Sequence, residues 1–257
     1  MVSMKVKHSR NLWQWFRTPL VATDLETQLL KQDQTTEKVI QKIDLCTWLG
    51  YVLIFFFVSL TLVNPMLRIN GLAIAFLAWL MICSLVKLDK KRKIARLGWF
   101  TRPLPIKKWG KGIGYALTFI TFEMALSLLI VAVNHQSVQS TNTQQILKII
   151  GAKPIYMGYV ILVAPLLEEL VFRQSIFRGL KRWLSRHVRW SSLVVTVIVT
   201  IVVALLFAAV HGDSSSLEYI VVSCYLQWIY WREKDLRLSM ITHASINVIS
   251  LGTMLLL

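Results

Sequence analysis

Seven apolar runs separated by polar or basic connectors organise this chain, at about 45–63, 71–88, 113–133, 154–172, 191–211, 217–231 and 239–257. Most approach the roughly 20 residues that a helix needs to cross about 30 Å of hydrocarbon. The run 217–231 is short for a crossing, which predicts a tilted helix or protein-lined surroundings. The pattern predicts an all-α fold: a polytopic membrane helix bundle of about seven (six to eight) transmembrane helices. No internal repeat or low-complexity tract interrupts it. The first 44 residues are polar and mixed in charge, with helical spacing over 24–43, and read as a surface or interfacial segment. The expected organisation is a cytoplasmic N-terminal segment (1–44), accessory transmembrane helices (45–153) and a core carrying the chemistry (154–257).

Composition supports the same class. Hydrophobic residues make up 55% of the 257 positions and the mean hydropathy is +0.56, more apolar surface in long runs than a soluble domain carries. The formal net charge of +16 would suit nucleic acid, but the cations sit in the connectors, where they orient membrane proteins. A lipid bilayer, not nucleic acid, is the expected partner. Lys and Arg crowd 1–44, 87–114, 173–190 and 231–237 and are sparse in 64–70, 134–153 and 212–216. The positive-inside rule then predicts a multi-pass cell-membrane protein with a cytoplasmic N-terminus and an outside C-terminus. Within 173–190, Phe177, Leu180, Trp183 and Leu184 alternate at helical spacing with Arg178, Lys181, Arg182 and Arg186, the pattern of an interfacial amphipathic helix. The first long apolar run begins near Leu45, so no cleavable signal peptide is expected. Cys46, Cys83 and Cys224 form neither a disulfide framework nor a zinc spacing and read as packing residues. No pattern specifies an oligomeric state.

The chemistry lies in three of the runs. Glu168 and Glu169 interrupt an apolar stretch, and two later runs carry Phe207-Ala-Ala-Val-His211 and His243-Ala-Ser-Ile-Asn247. A charge in hydrocarbon is costly, so such groups usually face a cavity and mark function. Glu169 and Arg173 are four residues apart and share a helix face, which favours an ion pair. Glu168 points elsewhere and lacks that partner, which makes it the candidate for proton transfer. His243 and Asn247, also four apart, can both donate to an oxygen that becomes negative. Glu168 would then deprotonate a water that His211 helps hold, while Phe207 packs beside His211. There is no Gly-x-Ser-x-Gly and no His-Glu-x-x-His. Two histidines and a glutamate are nevertheless a known zinc ligand set, so zinc is the alternative to a metal-free site. Glu123, in the middle of the third run, is a possible accessory acid. Counted at about 1.5 Å per residue, Glu168 and His243 fall near the cytoplasmic side and His211 near the other. A shared water therefore demands broken, tilted or differently bounded helices.

These segments resemble the three motifs of the CAAX-protease and bacteriocin-processing family of intramembrane endopeptidases: Glu-Glu-x-x-x-Arg (Glu168 to Arg173), Phe-x-x-x-His (Phe207 to His211) and His-x-x-x-Asn (His243 to Asn247). The resemblance covers roughly 154–250. It implies Glu168 and His211 as the water-activating pair, His243 and Asn247 at the oxyanion, and a glutamate-type mechanism without a metal or other cofactor. The substrate would be a peptide or membrane protein. One departure is that no glycine follows Gly212 before His243, where Tyr225, Trp228, Tyr230 and Trp231 stand instead; this bears on the shape of substrate access. A non-catalytic bacteriocin-immunity or regulatory protein retaining the motifs is the alternative. A proton-coupled transporter using Glu123, Glu168 and Glu169 is a third class, but it leaves Asn247 unexplained and no inverted repeat is visible.

Overall fold

The structure, a computed structural model, describes residues 41–54, 77–81, 83–84, 103–134, 141–152, 154, 156–212 and 216–256. The expected segment 1–44 lies almost wholly, and the runs 45–63 and 71–88 partly, outside the described residues, and the count of about seven crossings rests partly on them. What is described is almost entirely helical, with no strand among the described residues, in keeping with an all-α fold. After α1 (41–54) and the short α2 (77–81) come α3 (Ile106–Asn134) and α4 (Thr141–Ala152). The long α5 follows, then α6 (Ser192–His211), α7 (Ser216–Glu233) and α8 (Leu236–Leu256). Helix α4 occupies the polar stretch 134–153, read from the sequence as a connector.

Helix α5 corrects a predicted boundary. It starts at Tyr156–Gly158, widens to a π-helix over Tyr159–Val163, and returns to α over Ala164–Glu168. It widens again over Glu169–Phe177 and finishes as Arg178–His187. The backbone is right-handed helical at each junction, so this is one helix on the order of 45 Å long at 1.5 Å per residue. The span drawn to 172 does not end there: the basic turns that follow continue the same helix to His187. The reason is packing. Leu180, Leu184 and Val188 are partly buried and pack against the main hydrophobic core, while Trp183 stays exposed.

Helix α6 shows how composition becomes position. It is apolar on every side, and Val195, Val199, Val203 and Phe207, four residues apart, are buried. On the other side Leu193, Val197, Ile201 and Leu205 recur at the same spacing and are exposed. A helix apolar all round suits an apolar medium on both sides; here protein covers one side and leaves the other exposed. Among the described residues α6 and α8 are long and apolar enough to cross a membrane. Ser191 caps α6 by accepting from Val194 N at 3.3 Å. Gly212, at φ +59°, ends the helix in the left-handed conformation that glycine adopts most easily, which leaves His211 as its last residue. Cys46 and Cys83 are exposed rather than packed inside, and Cys224 is half-buried.

Helices α3 and α8 approach each other closely at Gly112. Thr242 Oγ1 donates to Gly112 O at 3.1 Å, and a Cβ on Gly112 would lie 2.6 Å from Ile241 Cγ2. At one end, Lys108 pairs with Asp235 at 2.6 Å and Lys111 with Glu233 at 2.7 Å, while Tyr115 donates to Glu233 at 2.7 Å. Arg237 completes the group on Asp235 at 2.9 Å. The basic connectors before α3 and between α7 and α8 thus meet at one end of the bundle, and Arg178 joins them through Tyr230 Oη at 2.5 Å.

Gly112→Val should lower stability by about 1–3 kcal/mol, because Ile241 is β-branched and cannot swing aside; denaturant unfolding in detergent measures it, and a neutral effect would rule out the tight crossing. The acid dependence follows from the end cluster. Burial alone would raise Glu233 and Asp235, but the donors Lys111 and Tyr115 on the first and Arg237 and Lys108 on the second hold both below their ordinary values of 4.5 and 3.8. Groups with lowered folded values stabilise fully above the unfolded values and lose that contribution as pH falls through the folded ones. The unfolding midpoint should therefore be flat above about pH 5 and fall below about pH 4. A Glu233→Gln/Asp235→Asn chain with the same acid slope as the parent would dismiss this origin.

Candidate active site

The site is built around a buried ion pair. Glu169 and Arg173 are both fully buried on the second π stretch of α5, with Arg173 Nε 3.3 Å from Glu169 Oε2. The alignment there is that of an ion pair rather than a hydrogen bond. Arg173 Nη2 donates instead to Ser223 O at 3.1 Å and Ser223 Oγ at 3.2 Å on α7. The guanidinium carbon lies 5.0 Å from the centre of the Phe207 ring on α6, within cation–π range. Glu169 is held from α8 as well. Ser239 Oγ donates to Oε2, and His243 Nδ1 lies 3.1 Å from Oε1. Since the carboxylate is the acceptor, Nδ1 carries the hydrogen.

His243 is the hinge between the two acids. Its Nε2 faces Glu168 Oε2 at 3.7 Å, so one imidazole touches Glu169 on one side and approaches Glu168 on the other. Glu168 is partly exposed, at 12% of its side chain, whereas Glu169 has none. The two acids thus diverge as adjacent helical positions must, about 100° apart. His211 ends α6 with Nδ1 2.7 Å from Phe207 O. A carbonyl can only accept, so that hydrogen sits on Nδ1 and Nε2 of the neutral ring is an acceptor. The ring stacks on Tyr219 at 4.1 Å. Phe207 lies between the two imidazoles, its centroid 4.6 Å from His211 and 6.0 Å from His243.

This arrangement answers the depth problem. Because α5 runs on to His187 and α6 returns beside it, Phe207 meets Phe172 at 5.1 Å, and the last turn of α6 comes back to the level of the glutamates. Asn247 gives Nδ2 to Val160 O on the first π stretch at 2.9 Å; its second amide hydrogen is not used in that bond. Glu123, on α3, lies within electrostatic reach of Glu218 at the start of α7. Among the described residues no group of three or more His, Cys, Asp or Glu side chains is arranged to hold a metal ion.

Sequence reasoning did not single out Ser239, Ser223, Tyr51 or Tyr159. Ser239 carried a signal, because Ser239, His243 and Asn247 recur every four residues on α8. Ser223 carried none, its role depending on how α7 meets α5. Tyr51, packed edge-on to Phe172 at 5.8 Å, and Tyr159 both lie within electrostatic reach of Glu168, so α1 contributes to the site. The aromatic residues of α7 fasten helices together: Tyr225 donates to Tyr115 O at 2.9 Å, and Trp231 packs on Phe177 at 5.7 Å.

With this geometry in place, comparison with known proteins has a definite meaning. Residues 150–249, which hold all three motifs, match the family described as type II CAAX prenyl endopeptidase Rce1-like. The matched segment is similar to the Rce1-like CAAX endopeptidases. The membrane-embedded CAAX protease MroQ of Staphylococcus aureus is 33% identical over 101 residues, 39% of each chain. The UPF0177 protein YxdF of Lactococcus lactis is 28% identical over 161 residues, covering 60% of this chain and 82% of that one. YdiL of Bacillus subtilis, named as a candidate membrane peptidase, is 25% identical over 195 residues, 71% of each chain. The chain thus spans well under half of MroQ, while the other two matches extend beyond the Rce1-like segment. No solved structure matches the chain. The likeness to a membrane-embedded protease and the apolar helices α6 and α8 suggest a membrane protein.

Glu169→Gln should cost about 3–5 kcal/mol of stability by leaving Arg173 as an uncompensated buried charge, and Ser239→Ala about 1–3 kcal/mol. Chemical unfolding in detergent tests both. A Glu169→Gln chain as stable as the parent would mean that the pair is not the organising contact.

Proposed function

We propose that this chain is an intramembrane endopeptidase that hydrolyses a peptide bond of a peptide or membrane-protein substrate by glutamate-type, metal-free catalysis. The observation that carries the reading is the His243 imidazole set between Glu169 at 3.1 Å and Glu168 at 3.7 Å. Glu168, the partly exposed acid, takes a proton from a water that the Nε2 lone pair of His211 helps hold. The water oxygen attacks the substrate carbonyl, and the carbonyl electron pair moves to oxygen. His243 and Asn247 donate to that oxyanion, and Glu168 returns the proton to the departing amine.

The placement of the ring supports the role of His243: with Nδ1 turned to Glu169, Nε2 is the ring atom that faces the reacting groups beside Glu168. Glu169, Arg173 and Phe207 act as its support. The meeting of the basic connectors at one end of the bundle agrees with a shared cytoplasmic side and an N-terminus there. The names of the family and of MroQ make a segment near a lipidated or membrane-embedded terminus the first substrate class to test.

The experiment is cleavage of a peptide library, with and without an attached prenyl chain, by the purified chain in nanodiscs. Glu168→Gln, nearly isosteric but unable to accept the proton, should abolish turnover with normal expression and unfolding. His243→Ala and Asn247→Ala should each lower kcat by roughly 10²–10³ with little change in KM. If Glu168→Gln still turns over, the water-activation assignment is wrong. Exhaustive chelation should leave the rate unchanged; stoichiometric zinc whose removal stops turnover and whose return restores it would replace the glutamate mechanism by a metal one.

A further inference from the structure

The contact between Asn247 and Val160 has a cause that lies five residues further along α5. In the first π stretch the backbone bonds run from residue i to i−5, as Ala164 N–H to Tyr159 O shows. The next bond in that register would run from residue 165 to Val160 O. Residue 165 is proline, which has no N–H, so Val160 O loses its helical donor. A carbonyl left without a donor in this partly buried position is costly, and Asn247 Nδ2 supplies one at 2.9 Å. The same proline accounts for the π widening, since its ring would press on the carbonyl of residue 161 in a regular α-helix.

We infer that Pro165 is a positioning residue: by withholding an N–H from Val160 O it reserves that carbonyl for Asn247 and so fixes the direction of the Asn247 carboxamide. With Nδ2 held on Val160 O, the amide plane of Asn247 is set, and its second N–H points in one direction rather than rotating about χ2. The inference rests on the proposed oxyanion role of Asn247. It adds that the donor on α8 is aimed from α5, three residues before Glu168, so water activation and oxyanion binding are set by the same short stretch of helix.

Pro165→Ala tests it, assayed with the library peptide that the parent chain cleaves fastest. The substitution brings back an N–H that takes Val160 O, or lets the turn relax to α and draw that carbonyl away; either frees Asn247. The expected result is a fall in kcat of about 10–100-fold, the scale of a small misplacement of a catalytic group, at unchanged KM. The unfolding midpoint should not fall, because alanine removes a helix breaker. In an Asn247→Ala background the same change should cost nothing further, within about twofold, since the residue acted through Asn247.

A Pro165→Ala chain with parental kcat, beside an Asn247→Ala chain that has lost it, overturns the inference and leaves the oxyanion reading standing. So does a loss that persists in the Asn247→Ala background, or one that comes with a lowered midpoint. An Asn247→Ala chain with parental kcat overturns both.

Discussion

A carboxylate and a guanidinium with no solvent exposure, Glu169 and Arg173, impose the strictest demand on this molecule. Charges removed from water are tolerated only when paired and hydrogen-bonded, and no single helix can meet that requirement here. Ser223 must come from α7, Ser239 and His243 from α8, and the Phe207 ring from α6. Satisfying one ion pair therefore fixes the relative positions of four helices. The proposed catalytic groups are neighbours of those contacts: Glu168 precedes Glu169, His211 follows Phe207 by one turn, and Asn247 follows His243 by one turn. Structure and chemistry share the same contacts, so changes at the support will also move the site.

The second constraint is the shape of α5. Two π stretches flank Ala164–Glu168, and such insertions frequently occur at functional sites because they re-aim side chains and free backbone groups. The first presents the Val160 carbonyl to Asn247, and the second carries Glu169 and Arg173 into the core. The helix then continues to His187, so the motif lies well inside a long element rather than at its end. A side chain at a helix end is subject to fraying; one within such a helix is held by bonds on both sides.

Much of the site was legible in the sequence because its residue types conflict with their surroundings. Acids and imidazoles within apolar runs stand out, and the i,i+4 spacing of Glu169 with Arg173 and of His243 with Asn247 follows from helical geometry alone. The apolar runs likewise match α3, α6, α7 and α8, and the run drawn at 191–211 agrees with α6 nearly to the residue. The end of the fourth run was misread, because Arg173 and the basic turns after it look like a solvated connector. Their polarity is absorbed by Ser223, Phe207 and Tyr230, none of which is near them in sequence. Tyr51 escaped notice for the same reason, its place beside Phe172 being a matter of packing between distant segments.

The sequence by itself determined which residues cannot be left in hydrocarbon unaccompanied, which of them share a helix face, and that the fold is helical, since these follow from local chemistry and the 3.6-residue period. Only the tertiary structure decided who accompanies them: His243 between the two glutamates, Phe207 between the two histidines, and Asn247 on the carbonyl that Pro165 leaves free. Those choices depend on the axial offset of one helix against another. Offset arises from the sum of many side-chain contacts and from two π insertions, and no short stretch of sequence encodes it.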